Sequence, residues 1–420
     1  MQSEITTLTN GLRIITSFRP EIETVSLGIW VKTGSAYEKD DMNGISHFLE
    51  HMVFKGTTTR DTFDISEQFE DVGGQSNAYT SREFTSFFAK MLKGDTELAL
   101  DILSDLLTHS TFPQEELMKE KEVVVQEIKQ TIDTPDDIIF DYMQECAFPK
   151  QAVGRTILGP AEKVRSFTKE NLQNYLKTNY AADNMVVCAV GNIRHQEFVK
   201  MVEKRLSNLQ PKSNFAIPTQ EYKGGFYAEK RDIEQAHVIL AFKGIEYKCD
   251  NYYPCTIFST IFGGGMTSRL FKEIREKRGL VYTIYSFTNS HTQDGLFGIY
   301  AGTTKNELRE LLSVVCEEIK KICNEKITEK ELNRAKIQLK ASMLMALESP
   351  SSTADVLAHQ MLIFNRIISV DEMIQRIEAV TIEDVQAMAQ QIFSSNPTFT
   401  LIGDIEGHQS YDELLAMLKH

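Results

Sequence analysis

The sequence lacks several features that define whole classes of protein. No run approaches the roughly 18–20 consecutive apolar residues that cross a bilayer, which excludes a membrane span. Residues 1–16 lack a basic segment followed by an apolar one, so we expect no secretory signal and a cytoplasmic rather than mitochondrial-matrix location. The six cysteines never occur as C-x-x-C, which excludes a cysteine-type zinc site and predicts reduced, mostly buried thiols.

Positive charge is also scarce, since 45 Lys and Arg face 59 Asp and Glu and leave a net charge of −14. This balance argues against nucleic-acid binding. It would attract basic ligands over long distances, although a solvated acidic surface explains it equally well. The chain is otherwise typical of a folded protein, with 42% hydrophobic and 25% charged residues. Its 420 residues exceed what one core usually holds, so two or three domains are expected.

The two halves of the chain repeat each other. Four paired features recur in the same order at a nearly constant offset of about 212 residues, which indicates a duplicated unit. The pairs are the strands at 25–31 and 237–243, the prolines after a long helix at Pro135 and Pro350, the helix-starting threonines Thr168 and Thr381, and the strand–turn segments at 184–193 and 396–405.

The order of predicted elements in each half indicates an α+β fold, with strands grouped in one layer and helices in another. In each half we predict a strand, two helices, a long strand pair, several helices and a returning strand. In the first half the helices fall near 42–54, 60–72, 95–110, 113–131 and 136–147, and the stretch 77–91 is a half-buried strand. Two homologous domains follow, 1–205 and 226–420, each a copy of a unit of about 210 residues. The polar, proline-containing stretch 206–225 is the predicted linker between them.

One short segment carries residues suited to metal chemistry. On a helix, His47, Glu50 and His51 stand at positions i, i+3 and i+4, so their side chains share one face. Two imidazoles one turn apart can hold a cation such as Zn²⁺, and a carboxylate between them can take a proton from the metal's water. The alternative is a helix with incidental surface histidines.

Catalytic zinc usually has three protein ligands, so a third must come from elsewhere in the chain. The predicted helix 113–131 carries Glu120 and Glu127 seven residues apart and therefore on one face. The valines just before Glu127 predict that this carboxylate lies at a buried edge, where it needs a partner such as a cation. A surface pair with a lysine is the ordinary alternative for a helical glutamate.

The motif H-x-x-E-H, with 75 residues between His51 and Glu127, resembles the signature of the pitrilysin, or insulinase-like, zinc peptidases. Within that family the chain is most similar to the β subunit of mitochondrial processing peptidase and its bacterial homologues, over essentially its whole length. The resemblance implies a half-clamshell of two duplicated domains. It also implies that His47, His51 and Glu127 bind zinc, that Glu50 is the general base and that Glu120 supports the ligands.

Two further segments match the family's substrate-binding elements. Asn77, Ala78 and Tyr79 match an edge strand to which an extended substrate adds by backbone pairing, although Asn77 alone is equally typical of a turn that starts a strand. In the second half, Arg275 and Tyr282 match an Arg/Tyr pair. The resemblance implies that Arg275 holds the leaving-group side of the substrate and that Tyr282 donates to the oxyanion. Without the resemblance, this segment would be interpreted as the basic end of a helix followed by a strand.

The resemblance also implies a cleavage preference. Asp137 and Asp141 match the acidic pair with which processing peptidases bind an arginine two residues before the cut, and carboxylates are natural partners of guanidinium groups. Phe54 matches their aromatic pocket for the residue after the cut. Pairs of aspartates one helical turn apart are nevertheless common in proteins without this function.

The second half keeps none of the metal ligands. In the registers of the repeat, the positions of the two histidines and two glutamates are taken by residues unsuited to a zinc site, namely Cys255, Phe258, Ser259 and Ser342. We therefore predict one Zn²⁺ per chain, with the second half left for handling the substrate.

Together these features predict a zinc metalloendopeptidase that hydrolyses unfolded or short, basic, arginine-containing peptides. Larger relatives place four such units in one chain, so a chain with two is expected to form a homodimer in which Arg275 and Tyr282 act on the zinc site of the other copy. One alternative is a heterodimer with a different subunit. The other is a non-catalytic peptide-binding or scaffold subunit, which an incomplete ligand set would favour; here the set is complete.

Overall fold

The computed structural model describes residues 3–213 and 218–419 of the chain. Contacts divide the chain into two units, and each unit is assembled from three segments. The first unit comprises Met1–Lys129, Arg155–Pro218 and Leu344–Val370. The second comprises Gln130–Gly154, Thr219–Met343 and Asp371–His420. The predicted linker, 206–225, includes residues 214–217, which lie outside the described residues.

The first unit is built on a six-stranded sheet with the order β1-β2-β6-β3-β5-β4. All neighbouring strands are antiparallel except β2 and β6, which are parallel. The edge strand β4 pairs only with β5 among the described residues. The strands are β1 (Glu4–Thr7), β2 (Arg13–Phe18), β3 (Thr24–Val31), β4 (Gln75–Thr80), β5 (Thr85–Leu92) and β6 (Met185–Gly191).

Helices pack on both faces of this sheet, which explains why the central strands are apolar along their whole length. The helices of the first unit are α1 (Ile45–Val53), α2 (Thr62–Glu70), α3 (Thr96–Thr108), α4 (Gln114–Asp133), α6 (Ala161–Ser166), α7 (Lys169–Asn179), α8 (His195–Leu206) and α12 (Pro350–Phe364). Single 3₁₀ turns occur at Ser35–Tyr37, Asp40–Met42, Lys93–Asp95 and Ala182–Asn184.

The second unit has a five-stranded sheet with the order β7-β11-β8-β10-β9, in which only β7 and β11 are parallel. Its strands are β7 (Gly225–Lys230), β8 (Gln235–Lys243), β9 (Thr283–Ser290), β10 (Gly295–Thr304) and β11 (Thr398–Gly403). Its helices are α5 (Pro135–Ala147), α9 (Tyr252–Gly263), α10 (Leu308–Asn324), α11 (Glu329–Ala346), α13 (Val370–Ala379), α14 (Ile382–Phe393) and α15 (Tyr411–Leu418), with a 3₁₀ turn at Ala152–Gly154 and a π-helical turn at Phe271–Glu276.

The two sheets confirm the duplication. Without β1, the first sheet reads β2-β6-β3-β5-β4, and the second has the same order and the same single parallel pair. Thr168 and Thr381 each cap a helix through a reciprocal side-chain and backbone pair, as their sequence positions predicted. Each unit also has its own hydrophobic core between sheet and helices. The predicted α+β class with two homologous domains is therefore correct.

Two equivalent helices are exchanged relative to the order of the chain. Helix α5, from the first half, packs on β8 and β11, and helix α12, from the second half, packs on β3 and β6. Each follows a long helix and begins with a proline at its first turn, Pro135 or Pro350. The predicted boundaries at 1–205 and 226–420 thus follow the repeat along the chain, whereas the compact units differ from it by this exchange.

The strand pair predicted after the first two helices is confirmed as the hairpin of β4 and β5, but the continuous strand over 77–91 is wrong, because the turn of this hairpin divides it. The polar residues 81–83 make the turn. Ser81 closes it by donating its backbone N–H to the carbonyl of Phe84 and by accepting the N–H of Phe84 at its hydroxyl, at 2.7 and 3.0 Å. The run of four polar residues at 80–83 interrupts the alternation and is typical of a turn, a signal that the prediction of a strand over 77–91 overlooked.

Two expectations about the chain as a whole are also met. All six cysteines are free thiols, as expected, although only Cys188, Cys255 and Cys316 are buried and the other three are half-buried. Within residues 3–213 and 218–419, no helix combines the length and the apolar character needed to cross a bilayer.

Candidate metal centre

Helix α1 is held in place at its N-terminal end, beside His47. Gly44 precedes it with φ of 98°, and a Cβ there would lie 2.6 Å from the carbonyl oxygen of Leu158. The buried carboxylate of Glu38 accepts the backbone N–H groups of Gly44 and Ser46, both at 2.8 Å. These hydrogen bonds satisfy N–H groups at the start of the helix, so the next residue, His47, projects from a fixed turn.

The structure brings together the three predicted ligands. The Nε2 atoms of His47 and His51 are 3.3 Å apart, and a carboxylate oxygen of Glu127 on α4 lies 3.7 Å from the first and 3.5 Å from the second. Metal–ligand bonds of about 2.0–2.1 Å at tetrahedral angles place ligand atoms about 3.3–3.5 Å apart. Two imidazoles and a carboxylate are also ligands that Zn²⁺ prefers, so these residues fit the ion in both geometry and chemistry.

The protonation state of His47 suits metal binding. Burial, and secondarily the neighbouring His51, lower the pKa of His47 to about 3. The ring is therefore neutral at ordinary pH and offers a free nitrogen lone pair. Burial also lowers the pKa of His51, but the hydrogen bond with Glu120 and the negative charge of Glu127 outweigh it and raise that pKa overall.

Glu127 is more exposed than the sequence predicted. Its side chain is 39% exposed, although a buried edge was expected from the valines before it. Those valines do not all face the core: Val124 and Val125 are buried, but Val123 is 45% exposed. The face of α4 that carries Glu127 therefore borders solvent, and the carboxylate reaches the histidines from an open side.

Two charged side chains support His51 on the Nδ1 side of its ring, away from the other ligands. Glu120 bonds to Nδ1 of His51 at 2.9 Å, and its other oxygen pairs with the ammonium group of Lys55, also at 2.9 Å. Such a carboxylate fixes the ring orientation and directs Nε2 at the metal position. The sequence predicted the position of Glu120 but not that of Lys55. His47 lacks an equivalent, because its Nδ1 is buried without a hydrogen-bond partner among the described residues.

Glu50 lies on the same helix face but stands outside the group of three ligands. Its carboxylate accepts a short hydrogen bond of 2.5 Å from the hydroxyl of Thr80, at the end of β4. Burial raises the pKa of Glu50 and outweighs the contribution of Thr80, which lowers it. A carboxyl group with a raised pKa, beside a metal position, can both accept and return a proton. Sequence reasoning missed Thr80, which follows Tyr79 directly.

The predicted edge strand is confirmed as an edge, and its residues divide between two faces. Asn77 and Tyr79 point to one face, where the Tyr79 hydroxyl donates to Asp355 of α12 at 2.7 Å. Ala78 and Thr80 point to the face of α1, where Ala78 packs on the core. Phe54, at the end of α1, is half-buried, and its ring centroid lies 6.3 Å from that of Phe87.

The remaining predicted site residues belong to the second unit. Asp137 is exposed on the first turn of α5, and Asp141 follows one turn later. Arg275 is exposed in the π-helical turn, with its guanidinium over the ring of Phe271. Tyr282 is 78% exposed just before β9, and its backbone N–H donates to the carbonyl of Gly302.

Family models match most of the chain. The model described as Insulinase (Peptidase family M16) matches residues 13–161, and the model described as Peptidase M16 inactive domain matches residues 166–339. The second match covers much of the half in which the repeat carries no metal ligands.

Individual relatives are similar over nearly the whole chain. An uncharacterized zinc protease, YmxG, of Bacillus subtilis is 38% identical and covers 94% of this chain and 97% of its own length. A probable mitochondrial-processing peptidase subunit beta of Arabidopsis thaliana is 33% identical over 98% of this chain and 80% of its own. The crystal structure of a protease from Helicobacter pylori has a TM-score of 0.89 at 23% identity, covers 96% and 99% of the two chains, and shares the fold.

Proposed function

Because this chain belongs to the insulinase family, peptidase family M16, we propose that it is a zinc metalloendopeptidase that hydrolyses unfolded or short peptides. One observation carries the proposal: two imidazole nitrogens and a carboxylate oxygen converge with the separations of zinc ligands. Relatives named as zinc proteases support the choice of metal.

In the proposed site, His47, His51 and Glu127 would hold one Zn²⁺ per chain. When bound, the ion would lower the pKa of a coordinated water and place a positive charge beside the substrate carbonyl. Glu50 accepts the proton of the attacking water and returns it to the leaving amine, two tasks that its raised pKa suits. Thr80 keeps the carboxylate of Glu50 in place through its hydrogen bond.

The proposed substrate is an extended, basic peptide that adds to the free edge of β4. Backbone groups along this edge can bind a peptide of almost any sequence, and the net charge of −14 favours a basic one. Asp137 and Asp141 would bind an arginine before the cut. Burial and the neighbouring carboxylates raise the pKa of Asp137. A bound guanidinium group would relieve the repulsion between these negative charges. Phe54 would contact the residue after the cut.

Removal and return of the metal test the proposed function. We expect purified protein to contain about one zinc per chain and to cleave arginine-containing peptides internally. Dialysis against a chelator is expected to abolish cleavage, because the proton-transfer groups alone cannot activate water sufficiently, and added Zn²⁺ is expected to restore it. Mass spectrometry of the products and metal analysis provide the measurements. Cleavage that persists in fully metal-free protein would contradict the proposal.

We further propose that two copies of the chain form a homodimer in which Arg275 and Tyr282 act on the substrate of the other copy. Both side chains are exposed, which suits groups that contact a molecule outside their own unit. One chain carries both the ligand set and the Arg/Tyr pair, so a symmetric pair has two complete sites. A different partner subunit is the alternative.

A mixed dimer tests whether Tyr282 acts on the site of the other copy or on the site of its own chain. We expect Glu50→Gln and Tyr282→Phe chains each to be inactive or nearly so when purified alone, because one lacks the base and the other an oxyanion donor. Co-expression with two different tags isolates pairs that contain one chain of each kind. If Tyr282 acts across the dimer, each pair has one intact site and about half of the wild-type activity. No recovery in the isolated pair would show that Tyr282 acts within its own chain.

A further inference from the structure

A cleft of about 380 Å³ lies in the first unit, on the face of the sheet opposite to α1. Helix α12 forms one wall and the strands β3, β4 and β5 form the other. An engineered cavity of about 150 Å³ already holds a benzene molecule, so this cleft has room for an aromatic side chain. The side chains that define it are Trp30, Tyr79, Phe88, Ser351, Asp355 and Val356.

The repeat places a different side chain at the corresponding position of the second unit. Counted from the first-turn prolines Pro135 and Pro350, Asp355 of α12 corresponds to Phe140 of α5. In the second unit, Phe140 covers the sheet, with ring centroids 5.7 Å from Tyr300 and 5.4 Å from Phe287. The shorter side chain of Asp355 leaves the corresponding region of the first unit open.

The carboxylate, indole and phenol groups of the cleft are already paired. One carboxylate oxygen of Asp355 accepts the indole N–H of Trp30 at 2.9 Å and the hydroxyl of Tyr79 at 2.7 Å. The other lies 3.3 Å from Nδ1 of His359, and the hydroxyl of Ser351 bonds to that of Ser26 at 2.9 Å. An uncharged side chain can therefore enter without leaving a buried polar group unsatisfied, while the aromatic walls offer apolar contact.

The position of the cleft connects it to the proposed substrate strand. Tyr79 belongs to β4, the strand with the free edge, and it faces the cleft, whereas the next residue, Thr80, faces Glu50. Side chains of a peptide paired with β4 alternate in the same way. Residues on one side of such a peptide face the metal centre, and their neighbours face the cleft.

We propose that this cleft is a specificity pocket that binds an uncharged aromatic or large aliphatic side chain of the peptide substrate. The inference rests on the proposed function, since it needs a peptide on β4. It assigns Trp30, Phe88, Asp355 and Val356 to substrate selection. Asp355 acts there as a positioning residue, because it holds Trp30 and Tyr79 through hydrogen bonds.

Trp30 allows a test that does not depend on catalysis, because it is the only tryptophan in the chain. Short alanine–serine peptides free of tryptophan, each with one phenylalanine at a different position, are titrated into Glu50→Gln protein while the fluorescence of Trp30 is recorded. We expect saturable changes for phenylalanine at one position and weaker binding, by about tenfold or more, for the all-alanine–serine peptide. In active protein, the same position is expected to raise kcat/KM by a similar factor.

Two variants decide whether the signal comes from the cleft. Val356→Phe narrows the cleft without removing a hydrogen bond, and we expect it to abolish the difference in binding between the phenylalanine-containing and the alanine–serine peptides. Ile5→Phe is the matched control, because it enlarges an exposed side chain on β1, at the opposite edge of the sheet, and is expected to change nothing.

The outcomes separate this inference from the function on which it rests. Peptide cleavage without any phenylalanine preference or Trp30 response would overturn the pocket and leave the peptidase intact. A stronger response to lysine or arginine that Asp355→Asn removes would also overturn it, in favour of a cationic guest. Absence of all cleavage by zinc-loaded protein would overturn the proposed function, whereas the titration of Trp30 would still decide whether the cleft binds the side chain.

Discussion

A Glu50→Gln variant is expected to lose peptide hydrolysis by about 10²–10⁴-fold in kcat and to keep its zinc. The amide of glutamine cannot take a proton from water, yet it has nearly the same shape and can still accept the hydrogen bond of Thr80. Glu50 stands outside the group formed by His47, His51 and Glu127, so the metal position is not disturbed. Initial rates on a cleaved peptide and metal analysis of the same sample provide the measurement.

The unmodified protein and a Thr80→Val variant serve as controls in that experiment. Thr80→Val keeps the base but frees its carboxylate, so we expect a smaller loss of kcat than in Glu50→Gln. An unchanged rate in Glu50→Gln would show that another group serves as the base. Loss of zinc from Glu50→Gln would instead place Glu50 among the ligands.

The second large effect is expected from Glu127→Gln. The substitution removes the charged member of the three-ligand set and leaves two histidines from one helix, which is fewer than catalytic zinc sites use. Loss of a contact that only supports a ligand lowers zinc affinity by roughly 10–100-fold, and we expect a larger fall here. We also expect activity at limiting zinc to disappear. Competition with a chromogenic chelator measures the affinity directly.

Substitutions of two other glutamates on the same helix, α4, serve as comparisons for Glu127→Gln. Glu120→Gln removes the negative charge that supports His51 but leaves all three ligands, so the expected loss of zinc affinity is about 10–100-fold. Glu115→Gln changes an exposed carboxylate paired with Lys119 and is expected to have no effect on zinc. Equal zinc affinity in Glu127→Gln and Glu115→Gln would exclude Glu127 as a ligand.

The part of this site that could be predicted lies within short stretches of chain. Helical geometry alone puts His47, Glu50 and His51 on one face, because three or four residues complete a turn. The same periodicity puts Glu120 and Glu127 on one face of α4. That both helices meet came from the resemblance to a family, since nothing in local spacing joins residues about 70 positions apart.

Residues that act through distant contacts could not be predicted. Lys55 was missed because its partner, Glu120, lies far along the chain, and Thr80 was missed because its hydroxyl faces α1 only once β4 is paired in register. The hairpin turn at 81–83 was missed although the polar run at 80–83 interrupts the alternation, because the alternating residues on both sides of the run were assigned to one strand.

The sequence by itself determined the duplication, the α+β class and the position of His47, Glu50 and His51 on one face of helix α1, because repeats and helical periodicity are local patterns that survive without coordinates. Only the tertiary structure decided which helix covers which sheet. Helix α12 packs on β3 and β6, and this contact places Asp355 beside Trp30 and Tyr79 and leaves the cleft open. The physical reason is that packing partners are chosen by the burial of complementary surfaces, which depends on shape in three dimensions and not on separation along the chain.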